Sequence, residues 1–177
     1  MAIKKSIATR GFIILLVIGI WLVGFATLAG AETMKYKIYT YVVKSENVLI
    51  GDVEGHAVSL IIRRAILEFE NGEAATNIII TTGDRIKGSG PILVYSTITF
   101  ADGSTIIIKS QGTTAGGTAA GVITRTEATG EIIKGTGRFE GIKGTETKRF
   151  KYFPVEKGED GPKGIGEATM NYTLPSK

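Results

Sequence analysis

The chain has 177 residues, 21 lysines and arginines against 17 aspartates and glutamates, a formal net charge of +4 and no cysteine. The lack of cysteine excludes disulfides and a lipid-anchored cysteine, so the fold must be held by core burial alone. Three of the positive charges, Lys4, Lys5 and Arg10, lie at the N-terminus; the remainder is near neutral at +1, which gives no support for a nucleic-acid partner.

The first element is that N-terminal segment. Lys4, Lys5 and Arg10 precede an apolar run over residues 11–28 that includes FIILLVIGIWLVGF, and Ala29-Gly30-Ala31 places small residues where a signal peptidase reads. Residues 1–31 are therefore expected to be a signal peptide removed before Glu32, with the product exported to the periplasm or beyond. The alternative is an uncleaved anchor, since about 20 apolar residues span a bilayer; membrane contact is expected only then.

From Glu32 onward glycine punctuates runs of Ile, Val, Thr and Tyr, a strand-and-turn composition. Strands are expected over 35–44, 57–69, 73–82, 91–100, 104–111, 119–128, 144–153 and 164–174, with a further short piece at 132–134. Asn71-Gly72 and Asp102-Gly103 suit tight hairpins, and Thr129-Gly130 and residues 158–161 are further turn signals. Residues 32–177 thus read as one all-β domain. A meander of about eight strands closes into an antiparallel up-and-down β-barrel, because closure removes exposed edges. Ile78-Ile79-Ile80, Ile106-Ile107-Ile108 and the nearly continuous run 58–67 are apolar on both faces. The outer face should therefore be covered, most simply by self-association.

Candidate chemistry is concentrated at GDVEGHAVSLIIRRAILEF, residues 51–69, which holds the single histidine, His56. Side chains alternate across a strand, so adjacent Arg63 and Arg64 must point to opposite faces. The one in the lumen must be paired or solvated. Either it makes an interior ion pair, with Glu68, Glu54, Glu70 or Glu73 as partners, or it binds a carboxylate or other oxyanion of a ligand. Glu54 could orient His56 as a general base, or His56 could simply cap a barrel rim. Ser59 and Asp52 could join it in a hydrolase triad, but no nucleophile elbow is present. One histidine without cysteine makes a metal site unexpected. Tyr39, Tyr41 and Tyr95 could line a cavity with polar-tipped rings.

Residues 135–146, GTGRFEGIKGTE, resemble the G-G-[ST]-G-x-[FY]-x-G-x-x-G signature of the allene oxide cyclase and dirigent protein barrels, through Gly135, Thr136, Gly137, Phe139, Gly141 and Gly144. The GDVEGHAV, FENGEAA and FADGST segments are also similar to small bacterial secreted proteins of that superfamily. The resemblance implies an eight-stranded, calycin-like barrel with an apolar cavity, assembled as a homo-oligomer, dimer or trimer. The glycines would permit close approach at a barrel rim, and Phe139 would plug the barrel end. The function implied is binding of a small, largely apolar or amphipathic molecule in the lumen, with Arg63 or Arg64 fixing its polar group and His56, Tyr39, Tyr41 and Tyr95 nearby. Two alternatives stand beside it. One is a cyclase or isomerase assisted by a carboxylate such as Glu54 or Glu68; the other is a structural envelope barrel with a filled interior. No cofactor is expected.

Overall fold

The computed structural model describes residues 30–116, 123–159 and 161–176. The expected signal peptide lies outside the described residues up to Ala29. The barrel unit, Gly30–Pro175, is built from eight strands. They are β1 (Glu32–Leu49), β2 (His56–Phe69), β3 (Ala74–Ile86), β4 (Gly90–Phe100), β5 (Thr105–Ala115), β6 (Thr124–Thr136), β7 (Lys143–Tyr152) and β8 (Gly164–Thr173). Each strand pairs antiparallel with the next, and β8 returns to β1, so the sheet is a closed up-and-down barrel with no free edge. The turns at Gly72 and Gly103 take φ of 83° and 81°, the left-handed backbone that Asn-Gly and Asp-Gly hairpins need.

The expected strands are present; β3 and β5 run on to Ile86 and Ala115, past their expected ends at 82 and 111, and two larger corrections apply. The part of the expected 119–128 piece that the structure describes as strand, from Thr124 on, and the piece at 132–134 belong to one strand, β6, and Thr129-Gly130 lies inside it; residues 119–122 lie outside the described residues. Gly130 opposes Ser110, and a Cβ there would strike the Ser110 hydroxyl and the Lys109 carbonyl. This glycine serves a close approach, not a reversal. The second correction is β1, which runs past its expected end at Lys44. A register shift between Val42 and Lys44 bulges it, and residues 44–49 continue to pair with β2 while exposed on both faces.

Inward residues alternate with outward ones along each strand, apart from the bulge in β1 and a break at Ile133-Lys134 of β6 beside a register shift in β5. They include Tyr36, Ile38, Thr40 and Val42 of β1, and Ser59, Ile61, Arg63, Ala65, Leu67 and Phe69 of β2. The end of the barrel that carries the 70–73, 101–104 and 137–142 turns is sealed. Tyr36, Phe69, Phe100 and Phe139 stack in a chain with centroid separations of 4.8, 5.4 and 4.7 Å. Phe139 sits on the 3-10 turn Gly137–Phe139, where the glycine-rich segment crosses the rim. The Arg138 guanidinium lies over the rings of Phe100 and Phe139, at 4.6 and 4.8 Å, and is held by Glu73 and Asp102. Any route into the lumen must therefore start at the opposite, upper end.

Candidate ligand site in the lumen

Alternation on β7 turns Glu146, Lys148 and Phe150 into the barrel. Glu146 and Lys148 form an ion pair at 2.6 Å with both side chains almost fully buried. Lys148 also donates to the Ser96 hydroxyl on β4, 3.2 Å away across the lumen. The Tyr36 hydroxyl donates to the other Glu146 oxygen. Burial, then the Glu146 charge and that hydrogen bond, push the Tyr36 phenol well above its ordinary value, so it stays a protonated donor. Nearby, Asn77 Oδ1 and Ser110 Oγ are buried without a hydrogen-bond partner.

Above this layer the lumen carries a second polar group. Arg63 on β2 points inward and is 6% exposed; its guanidinium lies over the Tyr152 ring at 4.6 Å. Its Nε is buried and has no hydrogen-bond partner among the described residues. Arg85, at the end of β3, folds its guanidinium back into the barrel and donates to the Ser59 hydroxyl. Gly83 makes room for it, since a Cβ there would lie 2.9 Å from Arg85 Nε. Burial first, and then the charge of Arg63, pull the Arg85 guanidinium below its ordinary value. Tyr152 is pushed up by burial, a rise that the two arginines oppose. Arg85 and Tyr152 are half-buried, so solvent reaches this end of the lumen.

The residues singled out from sequence fall on both sides of the wall. Arg63 is lumenal, and Arg64 is exposed on the outer face. The interior ion pair exists, but it is Glu146–Lys148; no arginine takes part in it. Glu68 shares the outer face with Arg64 and accepts from the Tyr39 hydroxyl at 3.3 Å. Glu54 stands in solvent on the 50–55 loop, 3.4 Å from Lys87. Neither carboxylate reaches the lumen, because both follow the outward parity of β2 or precede it. Tyr39, Tyr41 and Tyr95 are also outward and exposed, and the inward tyrosines are Tyr36, Tyr152 and Tyr172. Gly135, Gly137, Phe139, Gly141 and Gly144 lie on and beside the 3-10 turn between β6 and β7; φ at Gly137 and Gly141 is 63° and 75°. Sequence reasoning missed Arg85, Glu146 and Lys148. Two depressions on the outer wall are both lined by Lys37, Glu127, Arg149 and Glu167, whose alternating signs mark a solvated face.

His56 stands at the upper rim, outside the lumen. Its Nδ1 is 2.5 Å from Asp52 and its Nε2 is 2.6 Å from Asp84. With both ring nitrogens occupied, it is a fastener between the 50–55 loop and β3, and no nitrogen is free for a ligand. Hydrogen bonds to Asp84 and Asp52 raise its pKa above the ordinary 6.5, and the bond from His56 lowers Asp52 below 3.8. The His56 contribution to stability is full below about pH 6.5 and is lost as pH rises through the raised value. The Asp52 contribution is present above its ordinary value and is lost as pH falls through the lowered one. The melting temperature is thus expected to decline above about pH 6.5, and His56→Gln should abolish that slope. Melting curves of the two proteins across pH check this; an unchanged slope in the variant would assign it to another group.

No family model matches the chain, and no curated protein matches it. Two solved structures of pterocarpan synthase dirigent proteins are similar to it. GePTS1 shares 12% identity over 84% of this chain and 87% of that one, with a TM-score of 0.47. PsPTS1 shares 15% identity over 83% of this chain and 97% of that one, with a TM-score of 0.46.

Proposed function

We propose that this protein is an exported barrel that holds a small amphipathic molecule in the upper half of its lumen. The observation that carries this reading is Arg63: a buried guanidinium over the Tyr152 ring that, among the described residues, has no partner at Nε and no carboxylate in an ion pair with it. An isolated charge is costly to bury, and a chain under no other constraint would place an apolar residue there. Ile61, Ile79, Ile92 and Val94 supply apolar surface below and beside it for the rest of the molecule. The sealed lower end leaves the upper rim as the entrance.

Tyr36 and Glu146 favour a second reading. A phenol hydrogen-bonded to a carboxylate in a dry lumen is an acid–base pair, which a cyclase or isomerase could use to steer a reactive intermediate. Under that reading Glu146→Gln abolishes turnover while ligand is still bound.

The outer wall suits self-association. Tyr39, Ile66, Ile78, Ile80 and Tyr95 lie on adjoining strands and are all exposed. Native mass spectrometry of the full chain recovered from its own compartment tests both proposals. An added small-molecule mass that leaves on denaturation is expected, on an oligomer. A ligand-free mass, together with no uptake of the neutral dye Nile red, would overturn the binding reading in favour of a filled structural barrel.

A further inference from the structure

We propose that the upper lumen selects an anion, with Arg63 and Arg85 together gripping a carboxylate or another oxyanion at the head of the ligand. The proposal rests on the lumen being a ligand chamber and adds the chemical class that it admits.

The first support is charge. Arg63, Arg85 and Lys148 bring three cations into the barrel, and the one inward carboxylate among the described residues, Glu146, is taken by Lys148. Among the described residues neither Arg63 nor Arg85 forms an ion pair. The two guanidiniums are close enough for Arg63 to depress Arg85. Arginine does not escape by giving up its proton, so the repulsion persists until an anion enters between them.

Geometry is the second support. Arg63 and Arg85 come from neighbouring strands; Arg85 pairs with Ala57, so the lumenal Ser59 lies between that register position and Arg63 along β2. Arg85 does not follow its strand out to the rim; it doubles back over Gly83, a position where any side chain would crowd it. The Arg63 guanidinium lies over the Tyr152 ring, and its Nε, unpartnered among the described residues, is left for an oxyanion. Val42, Ile61, Ile92 and Val94 then face the tail.

Calorimetry on the full chain with octanoate, octyl phosphate and octan-1-ol separates the possibilities, since the three share one tail. At least one of the two anions should bind about tenfold or more tighter than the alcohol, the scale of a charge-assisted hydrogen bond. Whichever of the two is preferred identifies the head group. Arg63→Met and Arg85→Met should each remove most of that preference while the alcohol still binds. Gly83→Ala, which keeps both charges but displaces the Arg85 guanidinium, should reduce it too; this variant and Arg85→Met decide the matter if Arg63→Met does not fold. Equal binding of alcohol and anions would overturn the anion proposal and leave the ligand chamber standing. Binding of none of the three would overturn both. An anion preference that survives in Arg85→Met and Gly83→Ala would place the anion elsewhere and overturn the two-arginine site.

Discussion

Replacing Glu146 with leucine while Lys148 stays is expected to destabilise the barrel by about 3–5 kcal/mol, the usual cost of stranding one member of a buried pair. Lys148 is 4% exposed and would keep only the Ser96 hydroxyl as a partner. Tyr36 would lose its acceptor at the same time, and the lumen would hold three cations and no anion. The double replacement Glu146→Leu with Lys148→Met removes both desolvated charges together. It should be near neutral, or more stable by about 1–4 kcal/mol, because the pair's Coulomb attraction barely offsets the loss of hydration. Urea denaturation of wild type, the single variant and the double variant checks both numbers. A double variant as unstable as the single one would mean that the pair is held by a wider network and not by mutual neutralisation.

Phe139→Ala is the second large effect, at about 3–5 kcal/mol for a buried phenylalanine in a packed core. Phe139 ends the Tyr36–Phe69–Phe100–Phe139 stack, and its ring is the floor on which Arg138 rests. Removing it opens the lower end and exposes the face of Phe100. Arg138→Ala should cost far less, about 0.5–1 kcal/mol, since that side chain is half-exposed and acts through cation–π contact and surface ion pairs. Amide exchange should quicken at the 101–104 and 137–142 turns in the first variant and hardly change in the second. A loss below about 1 kcal/mol for Phe139→Ala would mean that the stack collapses to refill the space.

The barrel could be read from the chain because its local signals agree: alternation within strands, Asn-Gly and Asp-Gly reversals, and a glycine-rich crossing closed by one aromatic residue. The inner face of β2 could not. Its outward set, Val58, Leu60, Ile62 and Ile66 with Arg64, is as apolar as its inward set, Ile61, Leu67 and Phe69 with Arg63. Parity separates the two sets but does not say which faces in. β7 posed the reverse problem. KGTETKRFKY reads as a solvated strand, yet it buries Glu146 and Lys148, because their charges neutralise each other two residues apart on one face. Arg85 was missed for a third reason. The strand that carries it was expected to stop at Thr82, and only the backbone path past Gly83 brings its guanidinium inside. The carboxylates chosen as candidates, Glu54 and Glu68, lie beside the histidine and the arginines in sequence, which in a barrel is no guide to sharing a chamber with them.

The aromatic floor has a kinetic consequence. For a ligand held in the lumen as proposed, a barrel closed at one end fills and empties through the same mouth. A substitution confined to the upper rim, where the His56 fastener holds the 50–55 loop, changes the height of a barrier crossed in both directions. Entry and exit rates should then rise or fall by the same factor while the dissociation constant stays put, unlike the common pattern in which affinity changes appear in the exit rate alone. Residence time and affinity in such a barrel are set by different residues, the first by the rim and the second by the chamber below it.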